Sequence, residues 1–301
     1  MNSQKRILLP IDFQEQSLVS LDYALYFTGK INAELHLLHV VEESNVIQKI
    51  LRTDSDTIRI NIEIENMLAS IAAKLQSEFK IVTAVRNGKP YQVIEKYADE
   101  IKPEFIMIGK TDTTGNLTRM AGSNALHVIN ETKFPVITIR GNLSITHTPG
   151  DKNIVVPLDF NKPVKEQITA SVEFAKLFNA KILIMTINRD DSPAIKTKIL
   201  TGLNKTLKYI QDQNILCETF TIDDKKTPIH QVINDFAIEK NAKLVIIMTR
   251  DESKIRELVV GSNAKGIIDS CQVPVLSIRP WNIDDESNSV FKVIFDPLNI
   301  F

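Results

Sequence analysis

The chain repeats itself, and this repetition limits its fold more than any other feature. Residues 153–160 (Asn-Ile-Val-Val-Pro-Leu-Asp-Phe) repeat residues 6–13 (Arg-Ile-Leu-Leu-Pro-Ile-Asp-Phe). Residues 261–264 repeat the Gly-Ser-Asn-Ala of residues 122–125 in the same way. Because the matching segments keep their order along the chain, the sequence predicts a tandem duplication, with two copies of one fold.

Within the first copy, short apolar runs alternate with segments of helical periodicity. The apolar runs are expected to be parallel strands buried on both faces. They cover residues 5–12, 33–41, 80–85, 105–108 and 135–140. Between the first two runs, Leu18, Leu21 and Leu25 recur at helical spacing, with Ser17 as a predicted helix cap. Five strands alternating with four helices indicate an α/β fold with a doubly wound parallel sheet in each copy.

Length and charge restrict the class of protein. The 301 residues suffice for two domains of ordinary size. The 36 basic residues are balanced by 37 acidic ones, so no net positive field favours binding to nucleic acid or an anionic membrane. No apolar run approaches the length that spans a membrane, and the charged start leads directly into a strand without a signal segment. We therefore expect a cytoplasmic protein.

The repeat also suggests domain boundaries. The predicted first domain covers residues 1–141, a linker covers 142–151, and the second domain covers 152–281. Residues 282–301 form a tail in which an acidic stretch precedes several apolar residues. Such a tail can dock on its own second domain, or it can add a strand to the sheet edge of a neighbouring protomer.

A loop punctuated by glycines follows the fourth strand of the first copy. It runs from Gly109 through Gly115 to Gly122, and then enters a helix that carries Ser123 and Asn124 in its first turn. A loop of this kind can hold a phosphate, because its backbone N–H groups and the positive end of the helix dipole converge. The alternative is a tight connection after a parallel strand, without a ligand.

These segments resemble the universal stress protein family. The resemblance depends on Pro-Ile-Asp at residues 10–12, on the glycine loop, and on Pro-Val-Ile-Thr-Ile-Arg at residues 135–140. Both copies together resemble a tandem member of the family over residues 4–281. The resemblance implies a Rossmann-like sheet of the HUP (adenine nucleotide alpha hydrolase-like) type, with strand order 3-2-1-4-5. It also implies a ligand at the carboxyl ends of strands one and four.

For the first copy, the resemblance implies an adenine nucleotide, either ATP or AMP, with Mg²⁺ if the ligand is ATP. The residues implied at the adenosine end are Pro10, Ile11, Asp12 and the backbone near Val40. The residues implied at the phosphates are Gly109, Gly115, Gly122, Ser123, Asn124 and Ala125. Asp112 stands where the family has a second glycine. A carboxylate there would hinder the close approach of the backbone and repel a polyphosphate.

The second copy departs further from the family's pattern. Met248 replaces the first glycine, Asp251 replaces the second, and Lys254 stands opposite Gly115. Only Asp159 and the Gly-Ser pair at residues 261–262 remain. We therefore expect no triphosphate in the second copy. Its expected role is structural, in an intramolecular pseudo-dimer like the pairs that single-domain members form with a second chain. A homodimer of the whole chain is a further option.

Several candidate residues also have structural interpretations. Asp12 and Asp159 could each fix the start of the helix that follows. His36 and His39 lie three apart on one strand and therefore on opposite faces, so they cannot share a metal ion. His39 is expected to be a hydrogen-bonded residue at a strand end. Cys217 and Cys271 fit no metal or redox spacing.

The sequence leaves two main hypotheses for function. In one, the protein is a stress-response protein that binds ATP or AMP in its first domain. In the other, it is an interaction scaffold that acts through its sheet edges and its C-terminal tail. An apolar ligand between the two copies is a third option. We expect no enzymatic activity beyond weak ATP hydrolysis, because no catalytic set of side chains stands at a suitable spacing.

Overall fold

The computed structural model describes residues 4–42, 54–110, 121–140, 152–162, 164–249 and 260–279. The chain divides into two compact units, Met1–Ile145 and Thr146–Phe301. The division falls inside the predicted linker, which lies outside the described residues, as does the tail at 282–301. The precise ends of the two domains therefore remain predictions.

The first unit contains one parallel sheet with helices between its strands. Its elements are β1 (Arg6–Pro10), α1 (Glu15–Ile31), β2 (Glu34–Glu42), α2 (Asp54–Leu75), β3 (Lys80–Gly88), α3 (Pro90–Ile101), β4 (Phe105–Lys110), α4 (Ala121–Glu131) and β5 (Val136–Arg140). The strands are hydrogen-bonded in the order β3-β2-β1-β4-β5. This confirms the predicted doubly wound sheet of order 3-2-1-4-5.

The second unit repeats this topology. Its elements are β6 (Asn153–Pro157), α5 (Lys165–Phe178), β7 (Lys181–Asn188), α6 (Pro193–Asp212), β8 (Cys217–Asp223), α7 (Ile229–Glu239), β9 (Ala242–Met248), α8 (Ser262–Ser270) and β10 (Val275–Ile278). Its strands follow the order β8-β7-β6-β9-β10, and every pair is parallel. The duplication in the sequence is therefore a duplication of the fold.

The strand β1 lies at the centre of the first sheet. It pairs with β2 on one side and with β4 on the other. Ile7, Leu8 and Leu9 are all fully buried, because side chains on both faces of this strand pack into the core. The continuous apolar run in the sequence is what such a position requires.

The ends of the helices show that the predicted cap of α1 was wrong, and they explain why an asparagine recurs after the first helix of each copy. Ser17 is not the cap of α1, because the helix begins at Glu15 and the Ser17 hydroxyl donates a hydrogen bond to the backbone oxygen of Gln14 at 2.9 Å. Asn32 and Asn179 end α1 and α5 with φ angles of 50° and 49°. Asparagine tolerates this left-handed conformation better than most residues, which accounts for its presence in both copies.

Among the helices of the described residues, none combines the length and the apolar character that crossing a membrane requires.

Candidate functional site

The predicted ligand site lies where the strand order of the first sheet reverses. The strands β1 and β4 are neighbours, with Ile7 paired to Phe105, so their carboxyl ends reach the same edge of the sheet. Pro10 is the last residue of β1, and Gly109 is the penultimate residue of β4. The next residue after β1, Ile11, is buried and donates its backbone N–H to the Leu38 oxygen at 2.8 Å. Crevices at such an edge bind ligands in doubly wound sheets.

The other predicted site residues are described to different extents. Val40 is half-buried near the end of β2, and Ala125 is fully buried in α4. The backbone of Gly122, Ser123 and Asn124 forms the first turn of α4. Asp112 and Gly115 lie outside the described residues. The structure therefore places Pro10, Ile11 and Gly109 at one edge of the sheet, with Val40 on the neighbouring strand. Their role toward a ligand stays a prediction, as does that of the residues implied at the phosphates.

Asp12 and Asp159 make the same hydrogen bond in the two domains. Asp12 accepts the backbone N–H of Gln14 at its Oδ1, and Asp159 accepts that of Asn161, both at 3.0 Å. Each bond reaches two residues ahead, as in an Asx turn, and precedes the helix. Both aspartates therefore fix the turn after the first strand. Because Asp12 is exposed, its second carboxylate oxygen remains accessible to a ligand.

His39 holds the same turn from the neighbouring strand. Its Nδ1 donates to the Ile11 backbone oxygen at 2.7 Å, and its ring stacks on Phe13 with 5.0 Å between the centroids. Phe13 has a φ of 62°, a left-handed conformation that is rare for a bulky residue. Burial lowers the pKa of His39, although the bond to Ile11 and the nearby Asp12 oppose this. The neutral imidazole then carries its proton on Nδ1 and leaves Nε2 as an acceptor.

The prediction for His39, a hydrogen-bonded residue at a strand end, agrees with this geometry. Its partner could not be found from the sequence, because the two residues are 28 positions apart. The role of Phe13 had one signal in the sequence. The Asp-Phe pair at residues 12–13 recurs at 159–160, and the aspartate hydrogen bond recurs with it, but Phe160 does not share the left-handed conformation of Phe13.

The second domain differs at the same edge of its sheet. Thr186 takes the place of His39, because each follows the residue that pairs with the last proline of the first strand. Met248 takes the place of Gly109, because the two residues pair with Ile278 and Ile139. A side chain at this position obstructs the close approach of a phosphate that glycine permits. That the second domain binds no triphosphate stays a prediction, and Asp251 and Lys254 lie outside the described residues.

A polar cluster that the sequence did not predict lies at the opposite edge of the first sheet. Neutral His36 donates from Nε2 to the Glu34 carboxylate at 2.7 Å and accepts the Tyr97 hydroxyl at Nδ1 at 2.9 Å. Lys80 also pairs with Glu34, and Arg6 lies 3.7 Å from it. The cluster joins the amino ends of three strands. Among the described residues, no group of three or more histidine, cysteine or acidic side chains could hold a metal ion.

Comparison with known proteins gives a match in both halves of the chain. The model of the universal stress protein family matches residues 4–140 and 151–279. Universal stress protein MJ0531 of Methanocaldococcus jannaschii is 27% identical over 142 residues, which are 46% of this chain and 84% of that protein. Universal stress protein YxiE of Bacillus subtilis is 28% identical over 145 residues, which are 45% of this chain and 98% of that protein.

Among solved structures, a universal stress protein from Archaeoglobus fulgidus DSM 4304 aligns over nearly the whole chain. The alignment has a TM-score of 0.70 and 17% identity, and it covers 91% of this chain and 96% of that one. At this level of identity, the likeness establishes the fold of both domains. It agrees with the topology described above.

Proposed function

Because this chain belongs to the universal stress protein family, with one family domain in residues 4–140 and another in 151–279, we propose that its first domain binds an adenine nucleotide. The ligand is ATP or AMP, with Mg²⁺ if it is ATP. One observation carries the proposal. The ends of β1 and β4, with Pro10 and Gly109, lie side by side at the switch point of the first sheet, where the glycine spacing of the family begins, and β2 with Val40 lies on the other side of β1.

The backbone at the end of β2 suits the edge of a purine base. The Leu38 oxygen faces β1, because it accepts the N–H of Ile11. In a parallel ladder the backbone groups of alternate residues face the same side, so the N–H and C=O of Val40 also face that side. The strand β1 ends before it reaches them. They offer one donor and one acceptor beside Ile11, and the Nε2 atom of His39 offers a second acceptor.

The test of this proposal is a search for bound nucleotide, followed by a titration. Mass spectrometry of denatured, freshly purified protein should find ATP or AMP at close to one per chain. In the Asp112→Gly variant, the affinity for Mg-ATP should rise about tenfold, because about 1.4 kcal/mol of like-charge repulsion is removed. AMP should gain less, because it lacks the β- and γ-phosphates. Calorimetric titration measures both affinities.

Asp251→Gly is the matched control, because Asp251 stands at the corresponding position of the second copy. This variant should bind Mg-ATP as the wild type does. Absence of nucleotide from the purified protein, with no binding by Asp112→Gly either, would contradict the proposal. A gain in affinity for Mg-ATP in Asp251→Gly would also contradict it, because the nucleotide would then bind in the second domain.

A pair of alanine variants separates the two roles of Asp12. Asp12→Ala and Asp159→Ala each lose the same bond to an exposed turn, so each should lower the free energy of unfolding by about 0.5–1 kcal/mol. Only Asp12→Ala should also weaken nucleotide binding. Urea unfolding and calorimetric titration measure the two effects. Equal nucleotide affinity in Asp12→Ala and the wild type would leave Asp12 with the structural role alone.

We propose no catalytic activity beyond weak ATP hydrolysis. Asp12 is the carboxylate that the described part of the site brings to this edge, and one of its oxygens is engaged in the turn. A cytoplasmic location and the absence of nucleic-acid and membrane partners also stay proposals. The pseudo-dimer, the homodimer and the scaffold function remain predictions from the sequence, and the tail that the scaffold function needs lies outside the described residues.

A further inference from the structure

The second domain contains a cavity of about 510 Å³ over the carboxyl ends of β6, β7 and β9. This volume lies within the range of small-molecule sites in proteins. Most of the wall is aliphatic, with side chains from the strand ends and from α6 and α7. Representative lining residues are Leu158, Ile187, Ile195, Ile199, Ile233 and Ile247. A wall of this composition favours a ligand with an apolar body.

Two buried polar side chains in this wall have atoms that no described residue hydrogen-bonds. Gln167 is 5% exposed, and its Nε2 donates to the backbone oxygens of Pro157 and Ile246 at 2.9 and 2.8 Å. These bonds fix the amide, so its Oε1 is left as an acceptor on a residue that lines the cavity. Thr186 is 4% exposed and also lines the cavity, with a hydroxyl that can donate or accept.

Both atoms can be reached from the cavity, so water can hydrogen-bond to them when no ligand is present. A ligand with a hydroxyl or an N–H group would take the place of that water. It would donate to Gln167 Oε1, and its own acceptor atom would take the Thr186 hydroxyl. The two side chains therefore indicate the polar part of the ligand, as the aliphatic wall indicates the rest.

The charged groups of the cavity lie at its mouth. They are Asp159, Lys162, Arg189, Asp190 and Lys198, and all five are exposed to solvent. Asp159 accepts the N–H of Asn161, and Asp190 accepts the N–H of Ser192 at 2.8 Å. Arg189 donates to the Thr227 backbone oxygen, Lys198 donates to the Asn161 side chain at 2.9 Å, and Lys162 is engaged as well. A ligand that enters the aliphatic interior therefore meets no unpaired buried charge, and the part that it buries is uncharged.

The residues around this cavity differ from their counterparts in the first domain. In the first domain, the imidazole of His39 stacks on Phe13 over the turn. In the second domain, Thr186 is smaller than His39, and the ring of Phe160 lies against Gly202 of α6, where an added Cβ would come within 2.4 Å of it. The glycine lets the aromatic ring lie against the helix, which leaves room between the strand ends and α6.

We propose that the second domain binds an uncharged, largely aliphatic small molecule that carries a hydroxyl or N–H donor, held between the isoleucine wall and the polar atoms Gln167 Oε1 and Thr186 Oγ1. This site is separate from the nucleotide site proposed for the first domain, and neither depends on the other.

The test measures the affinity of the full-length chain for 1-octanol, the probe, by ligand-observed NMR. The isomeric ether 1-methoxyheptane has the same atoms but no donor, so it should bind about three- to tenfold more weakly. Thr186→Val replaces the hydroxyl by a methyl group and should weaken the binding of 1-octanol by a similar factor. Thr221→Val, on the exposed face of β8, should leave that binding unchanged.

Two further variants locate the binding. Ile199→Trp fills the cavity and should weaken the binding of 1-octanol at least tenfold. Leu200→Trp changes a residue that is 60% exposed, so it should leave the affinity for 1-octanol unchanged. Thr186→His copies the first domain and should also abolish binding. Equal affinity for the alcohol and the ether would overturn the proposal, as would insensitivity to Ile199→Trp. Tighter binding of adenosine than of 1-octanol in this cavity would also overturn it, in favour of a second nucleoside site.

Discussion

Phe105→Ala is expected to lower the free energy of unfolding of the first domain by about 3–5 kcal/mol. Phe105 begins β4 and is only 1% exposed. Its ring makes an edge-to-face contact with Phe27 of α1, with 5.4 Å between the centroids. The substitution removes the buried ring and leaves a cavity between the sheet and the helix, which neighbouring strands cannot fill without breaking their hydrogen bonds.

Urea unfolding followed by circular dichroism measures this loss, provided that the transitions of the two domains are fitted separately. Leu18→Ala is the control, because Leu18 lies on the same helix as Phe27 and is 44% exposed. It should cost less than about 1 kcal/mol. A loss below 1 kcal/mol for Phe105→Ala would contradict this, because it would show that the core around β4 rearranges to fill the space that the ring leaves.

Glu34→Gln should have the second largest effect, with a loss of about 1–3 kcal/mol at pH 7. The carboxylate of Glu34 is nearly buried and joins His36, Lys80 and Arg6. Glutamine keeps the shape but removes the charge that these groups share. The loss stays below that of a fully buried ion pair, because the Lys80 side chain is 64% exposed and water screens its charge.

The same cluster makes the stability depend on pH. Burial alone would raise the pKa of Glu34, but the hydrogen bonds from Lys80 and His36 outweigh it, so the pKa is lowered. The pKa of His36 is also lowered, because burial outweighs its bond to Glu34. In both cases the unfolded chain binds protons at a higher pH than the folded chain does. Stability therefore falls as the pH falls.

The two groups act in different pH ranges. The contribution of His36 should be complete above its unfolded pKa of about 6.5, and that of Glu34 above about 4.3. Glu34→Gln should therefore remove the contribution of Glu34 below about pH 4.3. It should also enlarge the fall that begins near pH 6.5, because His36 loses the carboxylate that opposes the lowering of its pKa. Urea midpoints between pH 8 and pH 3.5 test this, with Glu65→Gln on the exposed face of α2 as the control. Parallel curves for Glu34→Gln and the wild type would contradict it.

The fold could be predicted because its main determinants are local and repeated. Continuous apolar runs such as residues 7–9 identify buried parallel strands without knowledge of their partners. The position of Pro90 at the start of α3 follows from its missing N–H, which the first turn of a helix does not need. The predicted cap of α1 was wrong, because Asp12 and Ser17 both lie near the start of the helix and their types alone do not separate their roles. In the structure, the Asp12 carboxylate accepts a hydrogen bond in the turn before the helix, and Ser17 lies inside the helix, where its hydroxyl donates to a backbone oxygen.

The polar contacts could be predicted only in part. The sequence placed His36 and His39 on opposite faces, and they do bond to different elements, with Tyr97 in α3 and Ile11 after β1 as partners. Those partners lie 61 and 28 positions away, so no spacing reveals them. The two-residue spacing of Glu34 and His36 on one face of β2 did carry a signal for their contact.

The second domain illustrates a different limit. The loss of its glycines argued against a phosphate, and this followed from residue types alone. The cavity did not follow from them, because its shape depends on how side chains from α6 and α7 meet the strand ends. The packing of Phe160 on Gly202 is one such detail, since the two residues lie in different elements and far apart in the sequence.

The central position of β1 has a consequence for synthesis of the protein on the ribosome. One edge of β1 pairs with β2, which follows it directly, but the other edge needs β4, which begins at Phe105. Until β4 has emerged, the nascent chain carries an apolar strand with one open edge, a condition that favours aggregation. The strand β6 awaits β9 in the same way. During translation, each copy therefore passes through an interval in which its central strand has an unpaired edge that a chaperone could bind.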